Sequence, residues 1–111
     1  MNIDKELIGA STGLLILGII AKSASYGYKI IKQINEDSEG LFHWQEGTVY
    51  PILHKLENEG LIRSQWETAD TGRKRKFYYI TSKGREAITE TKHQWNECYN
   101  LILRVVEVPN A

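Results

Sequence analysis

Residues 47–62 read Gly47-Thr48-Val49-Tyr50-Pro51-Ile52-Leu53-His54-Lys55-Leu56-Glu57-Asn58-Glu59-Gly60-Leu61-Ile62. Trp66 follows, then Thr71-Gly72-Arg73-Lys74-Arg75-Lys76-Phe77-Tyr78-Tyr79-Ile80. Val49, Ile52, Leu53 and Leu56 recur at three- and four-residue steps, the stripe of an amphipathic helix. Gly60 supplies the position just past that helix, where glycine commonly ends the last turn. Beyond it, Leu61 to Thr68 predicts a strand and Ala69 to Lys74 a tip, turned by Asp70-Thr71-Gly72. Arg75 to Ile80 returns, and Phe77-Tyr78-Tyr79-Ile80 has high strand propensity. A helix that fits a major groove thus sits beside a ribbon whose basic tip can grip phosphate. That layout is a winged helix-turn-helix, and it points to DNA.

The same helix offers candidates for reading bases. Thr48, Tyr50, His54, Lys55 and Asn58 lie off the apolar stripe. Thr48, Tyr50 and His54 could approach bases, while Lys55 suits a phosphate. Pro51 is awkward inside a helix but acceptable in its first turn, so a span of about 46–59 is expected to start in earnest near Thr48–Tyr50. Thr48 could equally be the N-cap, or serve as both.

Working outward, residues 5–22 predict a first helix with apolar residues on nearly every face, hence covered on two sides. Ser25 is an expected N-cap for a second helix from Tyr26 to about Glu36, with Tyr26, Ile30, Ile31 and Ile34 on one side. Tyr26, Tyr28 and Lys29 open that helix, where side chains and backbone N–H groups can hold phosphate. Tyr26 is alternatively a core aromatic. Leu41-Phe42-His43-Trp44 is expected as a short buried strand or turn. Thr81 is the expected cap of a last helix over about 82–107. There Ile88, Thr91, Trp95, Cys98, Ile102 and Val105 make a heptad-like seam, broadened by Tyr99, Leu101, Leu103 and Val106. A terminal helix this apolar needs a partner, part of it from the first helix and the rest from a second chain.

The fold class expected is therefore mainly α with a small β wing. Residues 1–81 form the winged helix-turn-helix domain, and 82–107 the C-terminal dimerisation helix. With 111 residues and 41% hydrophobic content, one domain plus an appended helix is the natural size.

Formal net charge is zero, unlike a generic nucleic-acid coater. Locally the balance is −1 over residues 1–45, +3 over 46–85 and −2 over 86–111. Positive charge gathers in the candidate reading segment, with Arg73, Lys74, Arg75 and Lys76 consecutive. Four cations on a hairpin can contact phosphates and release counterions, and arginine can enter a minor groove. A solvated turn is the plainer alternative. Lys76 alternates with Phe77 and is expected to take part less than Arg73.

A single cysteine excludes an intrachain disulfide framework and fits a reducing cytosol. The apolar run Leu14 to Ala21 is too short to span a bilayer. Asp4 and Glu6 precede it where a signal peptide would carry positive charge, so a cytoplasmic protein without a membrane role is expected. Cys98 with dispersed His43, His54 and His93 lacks metal-site spacing, so no metal and no cofactor are expected. There is no glycine-rich phosphate loop, nucleophile elbow or histidine-rich metal helix, and an enzyme is not expected.

These residues resemble the PadR family of bacterial transcriptional regulators over nearly the whole chain. The resemblance is carried by Leu17, Tyr26-Gly27-Tyr28-Lys29-Ile30, the block 47–62, Trp66, Gly72 to Thr81, and Gly84. The single C-terminal helix is similar to the compact subfamily, including its multidrug-sensing repressors, which dimerise through first and last helices. The resemblance implies a homodimeric repressor. It also places Trp95 at an inter-subunit pore for a small aromatic or hydrophobic effector, with Leu14, Leu15, Asn96 and Tyr99 as secondary lining. Trp95 could otherwise simply fill the dimer core or be exposed. Two competing classes remain: a winged-helix protein-interaction module without DNA, favoured by zero net charge, and a redox- or metal-responsive regulator using Cys98.

Overall fold

The computed structural model describes residues 3–107; the first two residues of the 1–81 span read above lie outside them. The elements run α1 (Lys5–Lys22), β1 (Ser25–Tyr26), α2 (Gly27–Asp37), α3 (Glu46–Asn58), β2 (Ile62–Thr68), β3 (Lys74–Ile80) and α4 (Ser82–Val105). The three strands form one antiparallel sheet in the order β1-β3-β2. The first, second and third helices pack around the sheet root, and α4 projects. The molecule measures 59 × 29 × 20 Å, with a radius of gyration of 16.2 Å. A compact chain of this length has about 13 Å, and the projecting helix accounts for the excess.

The core is built from the stripes read in sequence. Ile16, Leu17 and Ile20 of α1 meet Ile30 and Ile34 of α2, and Val49, Leu53 and Leu56 of α3, with Trp44, Ile62 and Tyr78 closing the cluster. Each fully buried aliphatic side chain there stabilises the fold by roughly 1.5–3 kcal/mol relative to exposure. The segment between α2 and α3 is not a strand. It is held by side chains: the Trp44 backbone N–H donates to Asn35 Oδ1 at 2.7 Å, and Asn35 Nδ2 donates to the Trp44 carbonyl at 3.1 Å. Trp44 is buried, Phe42 half-buried, and Leu41 and His43 exposed.

Three local expectations need correction. Ser25 does not cap α2. It is buried and pairs with Tyr78 across β1–β3, and Tyr26 takes the cap position without a side-chain bond. The two-stranded ribbon is thus three-stranded. Pro51 does not set the start of α3, which begins a turn earlier behind Gln45. The ring forfeits only the bond to the Gly47 carbonyl, and Gly47 lies at the exposed end where water can serve it. Thr48 therefore is not the N-cap; its backbone N–H donates to the Gln45 carbonyl at 3.0 Å.

Other boundaries agree with the sequence. Gly60, at φ 78°, ends α3: its N–H reaches the Glu57 carbonyl and the Leu61 N–H reaches that of Leu56, both at 3.0 Å. Thr81 caps α4, accepting from the Gly84 N–H at 3.0 Å. The last helix stops at Val105, two residues short of the expected end, with Val106 as its cap.

The root of α4 is fastened to the head of the molecule. The Thr81 hydroxyl lies 2.7 Å from the Gly60 carbonyl and 3.0 Å from that of Leu61, and Lys83 Nζ donates to the Glu59 carbonyl at 2.8 Å. A Cβ on Gly84 would sit 2.1 Å from the Leu61 carbonyl oxygen, so only glycine allows this approach.

Candidate nucleic-acid interface

The exposed side of α3 is one continuous arc. At 100° per residue, Tyr50, His54, Asn58, Pro51, Lys55 and Thr48 follow one another around it, opposite Val49, Leu53 and Leu56. Thr48, His54 and Lys55 are exposed and Tyr50 is half-buried. Tyr50 lies across the start of α2: a Cβ on Gly27 would come within 2.6 Å of its ring and hydroxyl. The glycine in Tyr26-Gly27-Tyr28 thus leaves room for the Tyr50 ring at the start of α2, where that ring lines the groove described next.

That groove runs between α3 and the wing. Tyr26, Tyr50, His54, Trp66, Lys74 and Arg75 line it, with Gly27, Lys76 and Tyr78. A second depression lies on the other side of Tyr26, between α2 and the wing tip. Tyr28, Lys29, Lys32, Gln33 and Thr71 line it, but so do Glu36 and Asp70. Of the residues read as DNA contacts, Tyr26, Tyr50, His54, Lys74 and Arg75 therefore share one groove, while Tyr28 and Lys29 share the neighbouring one. Thr48 and Lys55 lie outside both grooves on the exposed arc, and Arg73 stands at the tip.

The four consecutive cations fall into three different environments. Arg73 and Lys74 are exposed. The Arg73 carbonyl accepts from the Ala69 N–H at 2.8 Å, which closes the tip. Arg75 is half-buried, its guanidinium 5.3 Å from the Tyr26 ring centre, and its Nε is buried without a partner among the described residues. Tyr26 in turn meets Phe77 edge-on at 5.2 Å. Tyr26 is thus a packed, half-buried aromatic whose face carries a cation. Lys76 points to the α3 side, where its Nζ is 3.7 Å from Glu57 Oε1.

Two tyrosines brace the sheet. Burial first, then the nearby Glu57 and Tyr50, push the Tyr78 hydroxyl above its ordinary pKa. Tyr79 is also raised, first by its hydrogen bond to Glu67. Both are protonated near neutral pH, and the Tyr79 hydroxyl donates to Glu67. Arg63 lies 4.5 Å over the Tyr79 ring.

Trp66 was assigned no role by sequence reasoning. It is 69% exposed, an aromatic left open among cations at the mouth of the α3–wing groove. Its signal was available in the alternation of β2, since it follows Ile62 and Ser64 on the face toward α3.

At the other end, Leu14 of α1 and Trp95, Asn96 and Tyr99 of α4 line one open depression with Lys92 and His93. Leu15 does not join them. It lines a neighbouring apolar groove with Ile19, Ile34, Phe42 and Ile88, which Leu14 borders from the other side. Of the expected seam, Ile88 is half-buried against this chain's own core. Trp95, Ile102 and Val105 are 38, 49 and 70% exposed, and Cys98 is exposed. Among the described residues no cluster of three or more His, Cys, Asp or Glu could hold a metal ion, and no helix is long and apolar enough to cross a membrane.

The model of the transcriptional regulator PadR-like family matches residues 16–90. A transcriptional regulator of Mycobacterium tuberculosis is 31% identical over 99 residues, covering 89% of each chain. The negative transcriptional regulator PadR of Bacillus subtilis is 29% identical over 80 residues, 72% of this chain and 42% of that one. Among solved structures, a transcriptional regulator from Clostridium thermocellum superposes with a TM-score of 0.85 at 28% identity, covering 95% of this chain and 99% of that one. A PadR-like transcriptional regulator from Bacillus cereus gives 0.80 at 28% identity, covering 95% and 100%.

Proposed function

The chain belongs to the transcriptional regulator PadR-like family, and from that premise we propose that it is a homodimeric, DNA-binding repressor of the cytoplasm. The family consists of transcription factors rather than enzymes. One observation carries the DNA reading: Tyr50 and His54 of the α3 arc and Lys74 and Arg75 of the wing line the same groove. Thr48, Tyr50 and His54 approach bases in the major groove. Lys55, Tyr26, Tyr28, Lys29, Arg73, Lys74 and Arg75 hold the backbone, or in the case of the wing arginines an adjoining minor groove.

Residues 1–81 act as the reading domain and 82–107 as the dimerisation helix. The support for a dimer is α4, whose one buried residue is Gly84. Its apolar row, with α1, is the surface that a second copy covers. Two-fold symmetry then requires an inverted-repeat operator with half-sites about one helical turn apart. A flat aromatic effector would stack between Trp95 and its symmetry mate, beside Leu14, Asn96 and Tyr99, and change the spacing of the two heads.

The test is a titration of purified protein with duplex from upstream of its own gene, beside a scrambled duplex at fixed salt. Specific binding, tens-fold or more over the scrambled sequence, is expected. No binding to either duplex at low salt would replace this reading with a protein-interaction module, for which the zero net charge is the main support.

A further inference from the structure

Glu57 occupies a place that phosphate binding does not explain. It lies near the end of α3, where its backbone carbonyl accepts the Gly60 N–H. Its carboxylate is held on two sides. Ser64 Oγ of β2 donates to Oε2 at 2.5 Å, and Lys76 Nζ of β3 stands 3.7 Å from Oε1. The serine bond at 2.5 Å holds the carboxylate, and the lysine at 3.7 Å is the more loosely held partner. Lys76 also lies 5.8 Å over the Tyr78 ring, facing into the angle between helix and wing. Both side chains of the ion pair are about a third exposed (35% for Lys76 and 30% for Glu57), so the pair is hydrated and contributes little to stability.

We propose that Glu57 is a positioning and specificity-determining residue that withholds Lys76 from the DNA backbone and sets the wing against α3. This rests on the DNA reading above. The physical reason is a division of labour. Each free cation on the wing adds attraction to any duplex, whatever its sequence, and steepens the salt dependence. An anion fixed between the reading helix and the wing removes one such cation and makes the wing's approach depend on the helix being seated. Arg73 and Lys74 are left as the exposed grips, and the chain gains discrimination by giving up general affinity.

The experiment measures binding of the full chain to its operator and to a scrambled duplex across a salt series. Four proteins are compared: the parent, Glu57→Gln, Lys76→Met, and the double variant. Glu57→Gln keeps the shape and the serine contact but frees the lysine. Its binding to the scrambled duplex is expected to rise several-fold at low salt, with the salt slope steeper by about 0.9. Its operator-to-scrambled ratio is expected to fall. Lys76→Met alone is expected to leave the slope at the parental value, and the double variant to restore it. A purely structural role for Glu57 would lower stability without steepening the slope, and thermal melts of all four proteins separate that case. An unchanged slope in Glu57→Gln, or a slope flattened by about 0.9 in Lys76→Met alone, would overturn the proposal while leaving DNA binding intact. Absence of binding by the parent itself would overturn the DNA reading instead.

Discussion

Helices α3 and α4 carry similar apolar patterns and meet opposite fates. In α3 the stripe is consumed inside the subunit, with Val49 and Leu53 at 0% exposure and Leu56 at 6%. In α4 the stripe is left open, and Leu101, Leu103, Val105 and Val106 are each exposed by half or more. Around the terminal turns the apolar residues cover well over half of the helix circumference, with Arg104 the main polar interruption. A pattern that finds its cover within the chain builds a core. The same pattern without cover inside the chain stays an open apolar face, the one the proposed dimer would cover.

The contrast is sharpest under truncation. Leu53→Ala, in the closed region, is expected to cost about 2–5 kcal/mol, because it removes packing and leaves a cavity. The thermal midpoint should fall equally at every protein concentration. Ile102→Ser, in the open region, should instead weaken self-association tenfold or more, as expected from losing roughly 1.5–3 kcal/mol of burial in the dimer. Its melting should depend steeply on protein concentration, and sedimentation should show the monomer. If Ile102→Ser leaves the assembly unchanged, α4 is not the shared surface, and the comparison between the two helices collapses. At the joint between the regions, Thr81→Ala removes the cap of α4 and the hydroxyl contacts to Gly60 and Leu61. A loss of about 1 kcal/mol is expected, read by urea unfolding. A much smaller loss would mean that the remaining contacts, the Lys83 side chain on the Glu59 carbonyl among them, fasten the two regions without the hydroxyl.

Much of this was legible in sequence because the signals are local and repeated. The α3 stripe, Gly60 after it and Thr81 before α4 each sit within a few residues of what they act on. The missing strand β1 is two residues long, too short to show any period, and its partners Phe77 and Tyr78 lie far along the chain. Pro51 misled because one lost backbone bond costs little where the orphaned carbonyl, that of Gly47, sits at an exposed end. The charge of residues 73–76 was plain, but not its distribution. That Arg75 lies on Tyr26 and Lys76 beside Glu57 follows from strand register and from how α3 crosses the sheet, neither of which a run of letters contains. The alternation of β2 puts Trp66 on the face toward α3, but its openness depends on what fails to cover it.

The fastening at the root of α4 has a mechanical meaning. The Leu61 carbonyl, the Thr81 hydroxyl and the bare Cα of Gly84 meet at one point, where α3 ends, the wing begins and the last helix starts. A helix of 24 residues anchored there is a stiff arm about 36 Å long with its fulcrum at the wing. A tilt of about 5° moves the far end by about 3 Å, since the arm rises 1.5 Å per residue. Run backwards, a few ångströms of displacement at the tail correspond to a rotation of a few degrees at the root.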